Sequence, residues 1–202
     1  MSRRLRHKRV ISTSRIAWIF VGAVALLEAV SILLFFVAAD FSLATLNDPA
    51  RLIRIGDTGA HVMRAAALLD MFGYLSAIPL AGYMRDRFRG EPGIDLFTLL
   101  GVVFLVMGAL AAAIFAFAAT PLIHDYAHGQ NTLLVFTTID RIVFTAMWQT
   151  VDALVSAVWF IGVGWLAWRR AQRRLSAALM TLGVIGLVFA ALHISALFPG
   201  SA

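Results

Sequence analysis

Four ionisable residues lie within the most apolar stretches of this sequence: Glu28, Asp70, Asp152 and His193. Such residues inside a bilayer are costly and usually face the protein interior, where they bind ions, relay protons or pair with other polar groups. Counted at about 1.5 Å of rise per helical residue, all four fall between the midplane and the outer end of their segments. The sequence therefore predicts one polar site that opens outward, with Glu28 at its floor.

Further candidates for this site follow from helical spacing. Tyr74 comes one turn after Asp70, and a polar stripe of residues three or four apart leads to Asp152 and beyond; it consists of Thr138, Arg141, Thr145, Gln149, Asp152 and Ser156. Three carboxyl groups cannot all stay ionised cheaply in a low dielectric. We expect a cationic partner at Arg64 or Arg141, and Arg64 is the better placed because it lies nearer to Asp70 along its helix.

A second pattern, His124-Asp125-Tyr126-Ala127-His128, resembles H-E-x-x-H with Asp in place of the central Glu. Two histidines four apart can bind one metal ion if the segment is helical. Pro121 and Gly129 flank this segment, which favours a solvated outer loop instead. Haem would need histidines inside facing helices, and His193 could pair with His61 only at the outer mouth. No cofactor is predicted, and metal or haem binding stays a minor alternative.

The composition excludes most soluble classes. The chain has 202 residues, of which 61% are hydrophobic and 14% charged, and it has no cysteine; its mean hydropathy is +0.86. An average soluble domain carries about 25% charged residues. A soluble enzyme, a disordered chain and a disulfide scaffold are therefore excluded. The basic residues cluster beside apolar segments, which is typical of membrane topology signals and not of nucleic-acid binding.

Five segments are long and apolar enough to cross a bilayer as helices: Ile16–Ala39, Ala60–Met84, Leu96–Thr120, Trp148–Trp168 and Ser176–Phe198. A sixth span at Leu133–Met147 would place Asp140 and Arg141 at its centre. No Gly or Pro occurs between Gln130 and Ile161, so we instead predict one long fourth helix that continues outside the membrane. The fold class is an all-α, five-span transmembrane bundle.

The distribution of basic residues predicts the topology. With a cytoplasmic amino terminus, the inner segments hold thirteen of the 17 basic residues; these are Arg3, Arg4, Arg6, Lys8, Arg9, Arg15, Arg85, Arg87, Arg89, Arg169, Arg170, Arg173 and Arg174. The positive-inside rule favours this orientation, with the carboxyl terminus outside. The domains are then a basic cytoplasmic tail (1–15), a five-span domain (16–198) and a short outer tail (199–202). We expect Arg169, Arg170, Arg173 and Arg174 to contact anionic lipid headgroups.

Several segments resemble a family of small bacterial membrane proteins, domain of unknown function 4386. The similar pieces are Leu52-Ile53-Arg54-Ile55, Met63-Arg64 with Asp70 and the basic exit at Arg85, Val158 to Leu166 followed by a basic turn, and Leu182 to Leu187. The resemblance covers about residues 16 to 197. It implies a multi-pass protein of a bacterial cytoplasmic (inner) membrane whose biochemical role is unsettled.

Three classes of function remain open. The preferred one is a non-enzymatic accessory subunit or small binding protein with an outward-facing polar pocket, and a homo-oligomer or a larger membrane complex is the form in which we expect it to work. The first alternative is a small proton- or ion-coupled transporter that uses Asp70, Asp152 and Glu28. The second is an intramembrane enzyme in which Asp152 and His193 exchange protons. Structural polar packing between helices would explain the same residues without any ligand.

Overall fold

The computed structural model describes the backbone of residues 2–197 and the side chains of residues 19–194. The predicted span end at Phe198, the outer tail 199–202 and the side chains of the basic tail 1–15 lie outside these described residues. Within them, the elements are helices: α1 (Ser2–Ala38), α2 (Leu43–Leu46), α3 (Pro49–Leu52), α4 (Gly56–Arg87), α5 (Ile94–Ala127), α6 (Leu133–Arg169) and α7 (Arg173–Leu197).

The five long helices α1, α4, α5, α6 and α7 are each long and apolar enough to span a membrane. This confirms the prediction of an all-helical chain with five span-length segments. Several helix boundaries lie outside the predicted spans, and two of these extensions are the largest in the middle of the chain. Helix α4 begins at Gly56 instead of Ala60, and α5 continues past Thr120 to Ala127. The interpretation of 121–129 as a loop is therefore wrong as far as Ala127.

Helix α5 continues through Pro121 because its backbone adjusts locally. Proline has no N–H to donate and usually interrupts a helix. The turn before it, Phe115–Ala119, is a π-helix, and the hydroxyl of Thr120 donates a 2.8 Å hydrogen bond to the carbonyl of Ala116. The side chain thus supplies a donor where the proline cannot, and His124 remains on a helix.

Helix α6 runs without a break from Leu133 to Arg169, which confirms the long fourth helix. Its middle, Arg141–Asp152, is a π-helix, and the hydroxyl of Thr150 donates to the carbonyl of Thr145 at 2.7 Å. A π-helix turns less per residue than an α-helix, so the predicted polar stripe does not stay on one face. Arg141 is exposed, whereas Asp140 and Asp152 are each only 6% exposed.

Each long helix packs mainly against the next long helix along the chain. α1 packs on α4, α4 on α5, α5 on α6 and α6 on α7. Most of the apolar side chains described for α1 (19–38) and α7 (173–194) are exposed or only partly buried, as expected for helices against lipid. The packing produces two apolar cores, one at each end of the bundle. Along α4, the first core ends at Ala67 and the second begins at Ala81. Asp70 and Tyr74 therefore lie between the two cores.

The short helices α2 and α3 cover one end of the bundle. Ser42 caps α2 by accepting a 3.1 Å hydrogen bond from the Thr45 amide, and Asp48 caps α3 by accepting one of 2.9 Å from the Ala50 amide. Such caps satisfy amides at the helix start. The segment that follows places Leu52 and Ile53 in the first core, where both are fully buried. The α1–α4 connection is therefore a structured part of the bundle.

At the opposite end of the bundle, Arg170 connects the α6–α7 turn to the α4–α5 turn. Its guanidinium lies 2.9 Å from Glu91 and donates to the backbone carbonyls of Arg87 and Arg89 at 2.7 and 2.9 Å. Arg169 also lies 3.5 Å from Glu91, and Arg173 lies over the Trp168 ring at 3.7 Å. Of the four arginines expected at lipid headgroups, Arg170 is thus bound mainly to protein.

Candidate functional site

The candidate site is centred on two carboxyl groups from different helices. The carboxyl groups of Glu28 on α1 and Asp70 on α4 are direct neighbours. An ionised carboxylate only accepts hydrogen bonds, so these two groups can bond to each other only when one of them holds a proton. Asp70 is 9% exposed, and Glu28 is half-buried. The pair therefore forms an acidic contact between α1 and α4.

A second contact joins α4 to α6. The hydroxyl of Tyr74 donates a 3.0 Å hydrogen bond to Oδ2 of Asp152. The other carboxyl oxygen of Asp152, Oδ1, is buried and has no hydrogen-bond partner among the described residues. Tyr74 lies one turn after Asp70 on α4, so a short polar series runs from Glu28 through Asp70 and Tyr74 to Asp152.

Two glycines make room for this series. A Cβ at Gly73 would collide with Oε1 of Glu28, and a Cβ at Gly108 would collide with the ring of Tyr74. Glycine is the residue that permits such close approach of a side chain to a helix backbone. The positions of Glu28 and Tyr74 therefore depend on missing side chains in α4 and α5.

A cavity of about 530 Å³ lies beside the carboxyl pair. Helices α1, α2, α4, α6 and α7 contribute its walls, which carry the polar residues Glu28, Ser31, Asn47, Asp70, Tyr74 and Gln149 and the aromatic residues Phe35, Phe36, Phe144, Trp148 and Phe189. A second cavity, of about 340 Å³, adjoins Glu28 and Tyr74 on the side of Trp159 and Phe160. Glu28 and Tyr74 border both spaces.

The structure brings together five of the predicted site residues: Glu28, Asp70, Tyr74, Gln149 and Asp152. It does not bring Ser156 or His193 to them. Ser156 donates to the carbonyl of Ala153 at 3.1 Å, and the ring nitrogen Nδ1 of His193 lies 2.9 Å from the carbonyl of Phe189. No hydrogen bond joins His193 to Asp152 in the described part of the chain, so the acid–base pair expected for an enzyme is not formed.

The two expected cationic partners also lie elsewhere. Arg64 is exposed, and its guanidinium sits over the Phe117 ring at 5.3 Å. Arg141 is exposed at the start of the π-helical segment. The depth of a residue in a span does not fix the direction in which its side chain points, and this is why residues of similar depth are separated here.

His124 and His128 lie at the end of α5, beside the first turn of α4. Nδ1 of His124 is 2.8 Å from Oδ1 of Asp57, and Nε2 of His128 is 3.6 Å from Oδ2 of the same residue. The ring of His61 lies 6.5 Å from that of His124, centroid to centroid. The side chains of Asp57, His124 and His128, all of types that bind metal ions, therefore lie together. Asp57 is 13 residues before Asp70 on α4.

Sequence reasoning missed two acidic residues. Asp57 was not recognised as a neighbour of the histidines, because its partner lies on another helix. Asp140 was treated only as a charge that argued against a sixth span; the structure buries it, and its Oδ1 has no hydrogen-bond partner among the residues described. An acidic residue within an apolar helical pattern was the available signal for Asp140.

Comparison of the chain with protein families, curated protein sequences and solved structures finds no match. The class therefore rests on the helices and their composition, which are those of a helical membrane protein with five candidate spans. Within that class, the distinguishing features are the acidic series and the aromatic cavity beside it.

Proposed function

We propose that this chain is a non-enzymatic, five-span protein of a bacterial cytoplasmic membrane that binds a small organic cation beside Glu28 and Asp70. Its amino terminus is cytoplasmic and its carboxyl terminus is outside, as the basic residues predict. The observation that carries the proposal is the composition of the cavity wall. It combines two carboxyl groups with six aromatic rings, and none of the described lining residues is Lys or Arg.

Electrostatics favours a cationic ligand. A buried carboxylate without a cationic partner is unfavourable by several kcal/mol, and it protonates or finds a counter-ion. Arg64 and Arg141 do not supply that counter-ion. An incoming cation would supply it and would replace a proton held by Glu28 or Asp70. This makes the ligand's charge the main determinant of its recognition.

The aromatic wall favours an organic cation over a bare metal ion. Aromatic faces attract organic ammonium groups through the ring quadrupole, worth about 0.5–2 kcal/mol for each well-placed ring. Phe35, Phe144 and Trp148 form one contiguous aromatic group, with centroids 4.9–6.3 Å apart. The volume of about 530 Å³ falls within the usual range of small-molecule sites, about 300–1,000 Å³.

Calorimetry on the detergent-purified protein tests the proposal. Tetraphenylphosphonium is expected to bind, whereas tetraphenylborate, an anion of nearly the same shape, is not. Glu28→Gln and Asp70→Asn should each weaken binding at least tenfold, and Asp86→Asn, an exposed acid outside the cavity, should leave it unchanged. Equal binding of cation and anion, or equal binding by all three variants, would refute the proposal.

Proton-coupled transport of the same cation is the second candidate, and the neighbouring carboxyl groups of Glu28 and Asp70, which can hold a proton between them, favour it. If the cation displaces a proton from these groups, its affinity falls as the pH is lowered, and Glu28→Gln removes that dependence. Liposomes containing the protein should then accumulate the cation when a pH gradient is imposed. If the protein binds the cation but shows no gradient-driven uptake, it is a binding protein and not a transporter.

A further inference from the structure

We propose that Asp57, His124 and His128 bind a divalent transition-metal ion, of which Zn²⁺ is the best fit, at the end of the bundle remote from Arg170. The site is separate from the carboxyl pair. It joins the first turn of α4 to the last turn of α5. Along the chain, these two helix ends are separated by the whole length of both helices. One oxygen and two nitrogen ligands are a donor set that suits zinc.

The ligand atoms lie near the spacing that such an ion requires. One ligand atom from each of the three residues lies within 4.8 Å of the others. In a tetrahedral site with bonds of about 2.0–2.1 Å, ligand atoms are about 3.3 Å apart. Nδ1 of His124 lies 2.8 Å from Oδ1 of Asp57, and Nε2 of His128 lies 3.6 Å from Oδ2, so each histidine faces its own carboxylate oxygen. Rotation of the side chains would bring one oxygen and both nitrogens to tetrahedral spacing around an ion.

The hydrogen bonding of His128 orients it as a ligand. Its Nδ1 lies 2.9 Å from the backbone carbonyl of His124. A carbonyl oxygen only accepts, so Nδ1 carries the proton and a neutral ring presents its lone pair at Nε2, the atom that faces Asp57. Metal-bound histidines are commonly held by such a hydrogen bond from the second ring nitrogen.

The carboxylate of Asp57 lies against both histidines. Its Oδ1 is buried, yet no donor among the described residues is aligned to form a hydrogen bond with it, even though Nδ1 of His124 is 2.8 Å away. The three side chains are otherwise about half exposed, at 44%, 50% and 56%. A metal ion can therefore reach the three side chains from water. With three protein ligands, the fourth position is open to water.

The helical register explains why these groups meet. His124 lies in the last turn of α5, and His128 is the C-cap residue four positions on, directly after the helix, so both lie on one side of it. The continuation of α5 through Pro121, which depends on the π-helical turn and the Thr120 hydroxyl, carries that side to the start of α4. A helix that ended at Thr120 would leave both histidines without the carboxylate of Asp57.

The test is metal binding by the full-length protein, purified through an affinity tag without histidine. Titration with ZnCl₂ should show one ion per chain, and CoCl₂ should give the visible absorption of a tetrahedral nitrogen–oxygen site. Asp57→Asn, His124→Gln and His128→Gln should each weaken zinc binding at least tenfold, while His193→Gln, at a distant histidine, should leave it unchanged.

A thermal measurement keeps the test decisive if a variant folds poorly. Zinc should raise the melting temperature of the wild-type and His193→Gln proteins, because a ligand that binds only the folded state stabilises it. Absence of both a cobalt spectrum and a melting shift in the wild type would overturn the proposal. So would zinc affinities of the three ligand variants that equal the affinity of the His193 control.

Discussion

The hydroxyl of Tyr74 on α4 and Oδ2 of Asp152 on α6 are 3.0 Å apart, across 78 positions of sequence. This bond is the direct polar link between the helix that carries Asp70 and the long fourth helix. It also leaves Asp152 with one satisfied oxygen and one buried, unpaired oxygen among the described residues. The hydroxyl of Tyr74 thus connects the Glu28–Asp70 pair to Asp152.

Tyr74→Phe is expected to lower the free energy of unfolding by about 1 kcal/mol, the usual size of a hydrogen bond between membrane helices. The ring volume is retained, so packing against Phe104 should persist. Denaturation with sodium dodecyl sulfate, followed by circular dichroism, measures the loss. Tyr83→Phe is the control, since that hydroxyl only meets an exposed arginine. Equal losses in both variants would show that the Asp152 contact adds nothing.

Gly73→Ala is expected to displace the Glu28 carboxyl and to weaken cation binding, because the new methyl group would occupy the position of Oε1. We expect destabilisation of about 1–3 kcal/mol, as for other overpacked sites. Gly82→Ala on the same helix is the matched control, since its Cβ would have no neighbour within 4 Å. A helix gains about 0.5–1 kcal/mol from that change. Unaltered cation affinity in Gly73→Ala would contradict the prediction.

Arg170→Ala is expected to reduce stability by about 1–3 kcal/mol, because it removes charge-assisted bonds to Glu91 and to two backbone carbonyls. Arg174→Ala, at an exposed arginine of the same basic cluster, should change stability by less than about 0.5 kcal/mol. Detergent melting curves compare the two. If anionic lipid abolished the difference, headgroup binding and not the protein contact would be the main role of Arg170.

The predicted orientation can be tested directly because the chain has no cysteine of its own. Gln130→Cys should react with an impermeant maleimide added outside intact cells. Arg89→Cys and Arg174→Cys should react only after the membrane is opened. External labelling at Arg89 would reverse the topology, and with it the outward location of the proposed metal site.

The helices were predictable from the sequence, while the contacts among polar residues were predictable only in part. The long fourth helix follows from the absence of Gly and Pro between Gln130 and Ile161. The similar depth of Glu28, Asp70 and Asp152 was predictable, but their proximity also required that their side chains face one another. His193 has a similar depth but bonds to its own helix, because depth carries no information on side-chain direction.

The π-helical segment was the main feature that sequence patterns did not reveal. The Thr150 hydroxyl bonds to the Thr145 carbonyl within this segment, and no periodic pattern of residues marks where the segment begins or ends. The segment changes the facing of every later residue in α6, so the stripe from Thr138 to Ser156 is divided between exposed and buried positions. Asp57 escaped notice for a different reason, since its neighbours His124 and His128 come from the end of another helix.

The π-helical turns of α6 also make this span tolerant of a change in length. A π turn holds more residues than an α turn, because its hydrogen bonds reach five residues back instead of four. A one-residue deletion between Arg141 and Asp152 can be absorbed when one wide turn returns to the α form. The same deletion between Ala153 and Val158 would rotate the residues beyond it by about 100° and move Trp159 away from Gly101, which it closely contacts. The aromatic wall at Trp148 thus belongs to the part of the span that can lose a residue, and the packing of α6 on α5 at Trp159 belongs to the part that cannot.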